Sequence, residues 1–263
     1  MSKRTWITTA ALLAAVVIAL VIVVAVVNRN QGDTQTEQTP AGPEPTELAP
    51  EPSAGESGTV ETDLSGRQVV VPTNPAGDIL SDSTDGGGSC EDLRSPAGIQ
   101  IQRINMYPLL LSTDSGPTQT DGAVPTGYAD GPRGALLAGT NYLWLLQSGG
   151  TPSKEVARDH VVADEEFQRI MEAEVEDGFN SERNNLGAPV AFKVRSCSQD
   201  AVVIDYAYDL FGDANGPFPK PKWAVQSVLV VKDSGQWKLS MREGSYTDRG
   251  IADDREGFTT WDM

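Results

Sequence analysis

The side chain best suited to proton transfer near neutral pH is imidazole, and this chain has one, His160. A Ser–His or Cys–His pair would have to use it. It lies, however, in the polar stretch Arg158-Asp159-His160, with no nucleophile-bearing motif beside it. That setting predicts an exposed histidine on a helix face, not a catalytic base. Cys90 and Cys197 are the other reactive groups. Thiols outside the cytoplasm oxidise, and a bridge between these two would close a long loop, worth roughly 4 to 5 kcal/mol in the loop-entropy picture. Two buried free thiols are the other reading, because spacing does not dictate pairing. Two cysteines with no histidine nearby do not make a zinc site. Phosphate-loop, dinucleotide, His-Glu-x-x-His and calcium-loop patterns are absent from the sequence. No catalytic, cofactor-binding or metal-ligating residue is assigned, and no cofactor is expected.

The elements that would position such groups begin where the composition turns globular, so a folded domain is expected over residues 90–246. Ile99-Gln100-Ile101-Gln102-Arg103-Ile104 alternates apolar with polar, as a strand does. A turn-rich stretch follows, and Pro132 can occupy the first turn of a helix. That helix, over 132–147, places Leu136, Leu137, Thr140, Leu143 and Trp144 on one face. Ala135, Ala138 and Tyr142 cover much of the rest, which predicts enclosure on most sides. Thr151-Pro152 starts a second helix over 152–162. Asp164 caps a third, carrying Phe167, Ile170, Met171 and Val175 and closed by Gly178. After Pro189 the period becomes two. Val190, Phe192 and Val194 alternate with Ala191, Lys193 and Arg195, and Val202, Ile204, Tyr206 and Tyr208 alternate with Val203, Asp205, Ala207 and Asp209. A proline-rich loop over 211–221 leads to strands over 223–232 and 236–242. The expected fold class is α+β: helices packed on a curved antiparallel sheet of four strands. Residues 247–263 form a C-terminal tail that either docks a partner or packs back on the domain.

The closing hairpin Val228-Leu229-Val230-Val231-Lys232-Asp233-Ser234-Gly235-Gln236-Trp237-Lys238-Leu239, after helices and long paired strands, resembles the nuclear-transport-factor-2-like cone fold. More narrowly, three segments resemble a pattern in actinobacterial single-pass membrane proteins linked to integrative and conjugative elements. They are Gly116-Pro117, Val124-Pro125-Thr126-Gly127-Tyr128-Ala129-Asp130 and Pro132-Arg133-Gly134-Ala135-Leu136-Leu137-Ala138. Similar exported cone domains occur in the assembly-factor subunit of type IV secretion machines, where they make protein contacts. The tether in this chain is much longer than in that family. A cone can enclose a pocket, and the resemblance implies Tyr142, Trp144, Tyr206, Tyr208, Trp223 and Trp237 as candidate lining. In some isomerases of that shape a buried Asp acts as base, which draws attention to Asp205. The strand period puts Asp205 on the face opposite Tyr206, so the two are not expected to converge. Aromatic side chains in a domain of this size usually form core.

Ahead of the domain, residues 6–27 form one apolar run with Lys3 and Arg4 before it. Twenty-two residues at a rise of 1.5 Å cover about 33 Å, enough to cross a hydrocarbon core. The run is too long for a secretory signal and lacks a small-x-small cleavage site behind it, which predicts a retained transmembrane helix. The cationic bias predicts a cytoplasmic tail over residues 1–5 and an extracytoplasmic bulk. Residues 28–89, rich in Pro, Thr and Glu, are expected to be a disordered linker. The formal net charge is −17. The first 30 residues carry three basic and no acidic side chains, leaving 17 basic and 37 acidic, a net of −20. Such a domain repels phosphate backbones and anionic lipid headgroups, so no direct nucleic acid binding is expected. These features predict a non-enzymatic scaffold anchored in the cell membrane by one span, with protein partners in an envelope assembly of the conjugation or secretion type. The alternative is a ligand-binding or sensing domain for a cell-envelope molecule, with a pocket in the cone.

Overall fold

Residues 58–167, 169, 187–213 and 215–263 are described by a computed structural model of the chain. The expected membrane span and cytoplasmic tail lie outside the described residues, as do linker residues 28–57 and most of the third helix. Among the described residues no helix is long and apolar enough to cross a membrane.

Four short strands form one sheet: β1 (Thr59–Thr62), β2 (Gln68–Val71), β3 (Gln100–Ile104) and β4 (Tyr107–Leu111), in that order. β1 runs antiparallel to β2, β2 parallel to β3, and β3 antiparallel to β4. A small hairpin, β5 (Gln119–Asp121) and β6 (Val124–Thr126), precedes two helices, α1 (Pro132–Leu146) and α2 (Gly150–Asp159). The second sheet has seven strands. β7 (Val161–Val162), β8 (Ala191–Cys197), β9 (Ala201–Asp213), β10 (Gly216–Asp233), β11 (Gln236–Ser240), β12 (Tyr246–Ala252) and β13 (Thr259–Thr260) lie in the order β13-β8-β9-β10-β11-β7, with β12 also paired to β10. The class is α+β, mostly sheet with few helices. The expected meander is present as β8 to β11. Residues 58–212 and 217–263 form one compact unit.

α1 explains how the two sheets share a core. Pro132 opens it, and every residue except Arg133 is buried, because the helix contacts β4 of the first sheet, β11 of the second, and α2. An apolar stripe would suffice on one sheet; two sheets require apolar residues all round. Packing is close where small residues allow it. A Cβ at Gly139 would lie 2.6 Å from the Tyr206 hydroxyl and 2.7 Å from Val230 Cγ2. The Tyr206 hydroxyl donates to the Leu136 carbonyl at 2.7 Å, tying β9 to the helix.

Two expectations change, and one alternative left open is decided. The described structure extends ahead of Cys90, back to Gly58. Val69, fully buried in β2, pairs with Ile101, and Arg67 donates to the carbonyls of Ala188 and Pro189. The Gly86-Gly87-Gly88 run lies against the start of α1, where Arg133 N–H donates to the Gly87 carbonyl at 2.9 Å and a Cβ at Gly131 would strike that same carbonyl. Second, the proline-rich loop expected over 211–221 is strand, divided between β9 and β10. Last, the C-terminal tail packs back. β12 pairs β10, β13 pairs β8, and Trp261, 6 % exposed, packs on Phe192 with ring centroids 4.6 Å apart.

Candidate functional site

His160 ends α2 and is 5 % exposed, so the expectation of a surface histidine is corrected. Its ring stacks on Tyr142 at 4.7 Å, and Tyr142 in turn meets Tyr128 edge-on at 5.5 Å. Nδ1 has no hydrogen-bond partner among the described residues. Burial lowers its pKa, against the opposing pull of Asp159, Asp121 and Glu155. A signal was present in the sequence: His160 follows buried Val156 by four residues, one helical turn along the same face.

Of the six aromatic residues considered for a pocket, five are buried. Tyr142, Trp144, Tyr206, Tyr208 and Trp237 lie in the core. Trp144 meets Tyr208 edge-on at 5.4 Å, and Trp237 donates its indole N–H to the Ala129 carbonyl at 2.9 Å. The Tyr208 hydroxyl and Thr140 Oγ1 are buried neighbours without a well-aligned hydrogen bond. Burial raises the pKa of Tyr128, Tyr142, Tyr206 and Tyr208, so all four are neutral at physiological pH. Trp223 lies on the other face of the sheet, where its indole donates to Asp209 at 2.8 Å. The other five fill the core.

Asp205 shares that outer face. Its carboxylate is 4 % exposed and lies between two guanidinium groups, with Arg195 Nε at 3.0 Å and Arg249 Nε at 3.4 Å. Both arginines sit at irregularities. The β8–β9 register shifts between Val194 and Ser196, leaving Arg195 as the extra residue. In β12, Arg249 is the residue skipped where Asp248 and Gly250 pair with Gln226 and Val225. Each bulge re-aims a long side chain over the sheet toward a central carboxylate.

Cys90 and Cys197 are joined by a disulfide with their Cα atoms 5.6 Å apart, and the bridge closes a separation of 107 residues. It fastens the irregular segment before β3 to the end of β8. Beside it opens a cleft of about 450 Å³, bounded by the two cysteines, Leu93, Gly257 and Thr259 and walled by residues 192–196. Lys193 and Arg195 give this wall two cations in a strongly acidic chain. Lys193 Nζ donates to the Glu256 carbonyl at 3.3 Å and has no ion-pair partner among the described residues. None of the six aromatics lines the cleft. Sequence reasoning missed it because its walls come from positions about 100 residues apart, brought together by the bridge. Among the described residues no group of three or more His, Cys, Asp or Glu side chains is placed to hold a metal ion.

One family description, Domain of unknown function (DUF8175), matches residues 68–260, from the start of β2 to the end of β13 and well over half the chain. The chain belongs to this family. The match begins ahead of Cys90 and ends beyond residue 246, in line with the boundaries of the folded unit. Comparison with curated proteins and with solved structures found no match.

Proposed function

We propose that this chain is a single-span membrane protein whose DUF8175 domain is displayed outside the cytoplasm as a non-enzymatic scaffold in a multi-protein envelope assembly. The observation that carries the reading is the Cys90–Cys197 disulfide, which belongs in an oxidising compartment. The apolar run at residues 6–27, with its cationic flank, supplies the anchor that such a placement needs. Between that run and Gly58 stand 30 residues, 28–57, whose reach at full extension is about 100 Å.

Several features support contact with proteins over chemistry on a small molecule. Five of the six candidate aromatic residues are packed in the core, and the one histidine is held neutral by burial. The net charge of −20 beyond residue 30 disfavours nucleic acid and anionic lipid. An assembly of the conjugation or secretion type is the form favoured by the resemblance of residues 116–117, 124–130 and 132–138 to membrane proteins of integrative elements. Those residues form one structural group. Ala129 N–H donates to Ser115 O, and a Cβ at Gly116 would lie 2.7 Å from Gly127 O. A cone-like form of the seven-stranded sheet belongs to the same proposal.

The test is photo-cross-linking in the native membrane from single surface positions, with Lys154, Lys220 and Glu243 as sites on different parts of the domain. The expected result is a discrete heterologous product from one of them and monomer from the others. Monomer alone from every position, with a small molecule co-purifying, contradicts the scaffold and favours a ligand-binding domain.

A further inference from the structure

The two long edges of the large sheet are treated differently. On β10, the Leu229 amide donates to Ser245 O and the Lys232 amide to Asp200 O. Odd-numbered residues therefore present their backbone groups toward β11 and β12, and even-numbered ones toward β9. Pairing with β12 ends at Trp223. Beyond it, β10 carries Pro217, Pro219 and Pro221 at a spacing of two, each without an N–H donor, and no strand continues β12 along that side among the described residues. This is how a sheet edge is closed to other strands.

The outer edge of β8 has no proline between Ala191 and Cys197. β13 covers only Ala191 and Phe192. Residues 193–196 have no strand on that side among the described residues, although β9 lies along the other. This open stretch is the wall of the cleft, stopped at one end by Thr259 and at the other by the disulfide. Four residues at about 3.3 Å each give a slot near 13 Å long. Lys193 and Arg195 lie on the outer face, as the cross-strand pairing of Lys193 with Asp205 and the Arg195–Asp205 contact show. Arg195 and Arg249 share the Asp205 carboxylate, while Lys193 Nζ reaches only the Glu256 carbonyl and keeps its charge without an ion-pair partner among the described residues.

We propose that the open edge of β8 binds an extended segment of a partner polypeptide by strand addition, continuing the position that β13 begins. The segment has carboxylates two residues apart, on the face shared with Lys193 and Arg195, and an apolar residue between them. Main-chain hydrogen bonds hold such a segment and alternate side chains select it. The inference rests on the scaffold reading and names the chemistry of one contact.

The probe is a dye-labelled five-residue peptide, Thr-Glu-Val-Glu-Thr, titrated by fluorescence anisotropy against the full chain in detergent micelles. Three comparisons run alongside: the same peptide with lysine for glutamate, the same peptide N-methylated at valine, and the variants Lys193→Gln and Lys220→Gln. The expected result is saturable binding of the acidic peptide, at least tenfold weaker for the lysine peptide and for the N-methylated one. Lys193→Gln weakens it about threefold or more, and Lys220→Gln leaves it unchanged. N-methylation alters no residue of the protein, so that comparison stands even if a variant misfolds. Equal binding of both charge forms, indifference to N-methylation, or no saturation at millimolar peptide overturns the inference. In the last case Lys193, Arg195 and the bulge serve to keep the edge unpaired. The cross-links from the domain then judge the scaffold reading separately.

Discussion

Asn141 sits in the middle of a mostly apolar helix, and it is fully buried. Its carboxamide accepts from Leu110 N–H at 2.9 Å and donates to Leu110 O at 2.8 Å, completing the backbone of β4 where no further strand does so. It also donates to the Tyr128 hydroxyl at 3.0 Å. Asn141→Leu keeps the volume and leaves both backbone groups of Leu110 buried and unpaired. The expected cost is on the order of 3 kcal/mol, read as a lowered denaturant midpoint. His160 gives a pH signature of definite sign. Burial keeps its folded-state pKa below the ordinary value, so the unfolded chain takes up the proton first as pH falls. Its contribution is intact above about pH 6.5 and is lost progressively below that, levelling off once the folded-state pKa is passed. His160→Phe preserves the stack on Tyr142 and should flatten that part of a stability-against-pH curve; an unchanged slope would contradict the assignment. Neither role could be read from residue type. Asn141 and His160 are polar letters in the sequence, and only the faces on which they fall make them core.

Elements were legible where one periodicity ran unbroken. The apolar saturation of 132–146 and the alternation from Phe192 to Tyr208 predicted α1, β8 and β9 and put Asp205 opposite Tyr206, as the structure has it. In the first sheet only β3 showed a strand period, from Ile99 to Ile104, and the rest was hidden for a physical reason. β4, Tyr107-Pro108-Leu109-Leu110-Leu111, is buried at every residue and so shows no alternation, and β2 is four residues long in a stretch rich in turn formers. The prolines of β10 misled in a different way. Proline argues against a central strand, but here three at spacing two remove N–H donors where no strand continues β12 among the described residues. Replacing Pro217, Pro219 and Pro221 together by Thr restores those donors while keeping a strand-forming residue. Relative to the parent chain, the triple variant should show concentration-dependent self-association by light scattering. Unchanged scattering would mean that the prolines do not guard the edge.

At the scale of the whole molecule, the disulfide, the acidic charge and the apolar N-terminal run bear on one another. The bridge closes 107 residues and in the loop-entropy picture contributes on the order of 5 kcal/mol, a large part of a typical domain's stability. A domain that leans on such a bond is poorly suited to a reducing cytoplasm, and one with a net charge of −20 is poorly suited to lying against an anionic bilayer. Under the proposed arrangement, an anchor at residues 6–27 followed by 30 further residues would meet both demands by placing the domain outside and away from the surface. Composition and flanking charge carry the proposed attachment and side, whereas the open edge of β8 is a property of the folded sheet and is not written in the sequence. Protease added to intact cells carrying the full chain tests this arrangement most directly. The account predicts digestion of residues 58–263 from outside once the bridge is reduced, with residues 1–27 retained in the membrane fraction. A domain that stays whole under those conditions, while other surface proteins are cut, would contradict it.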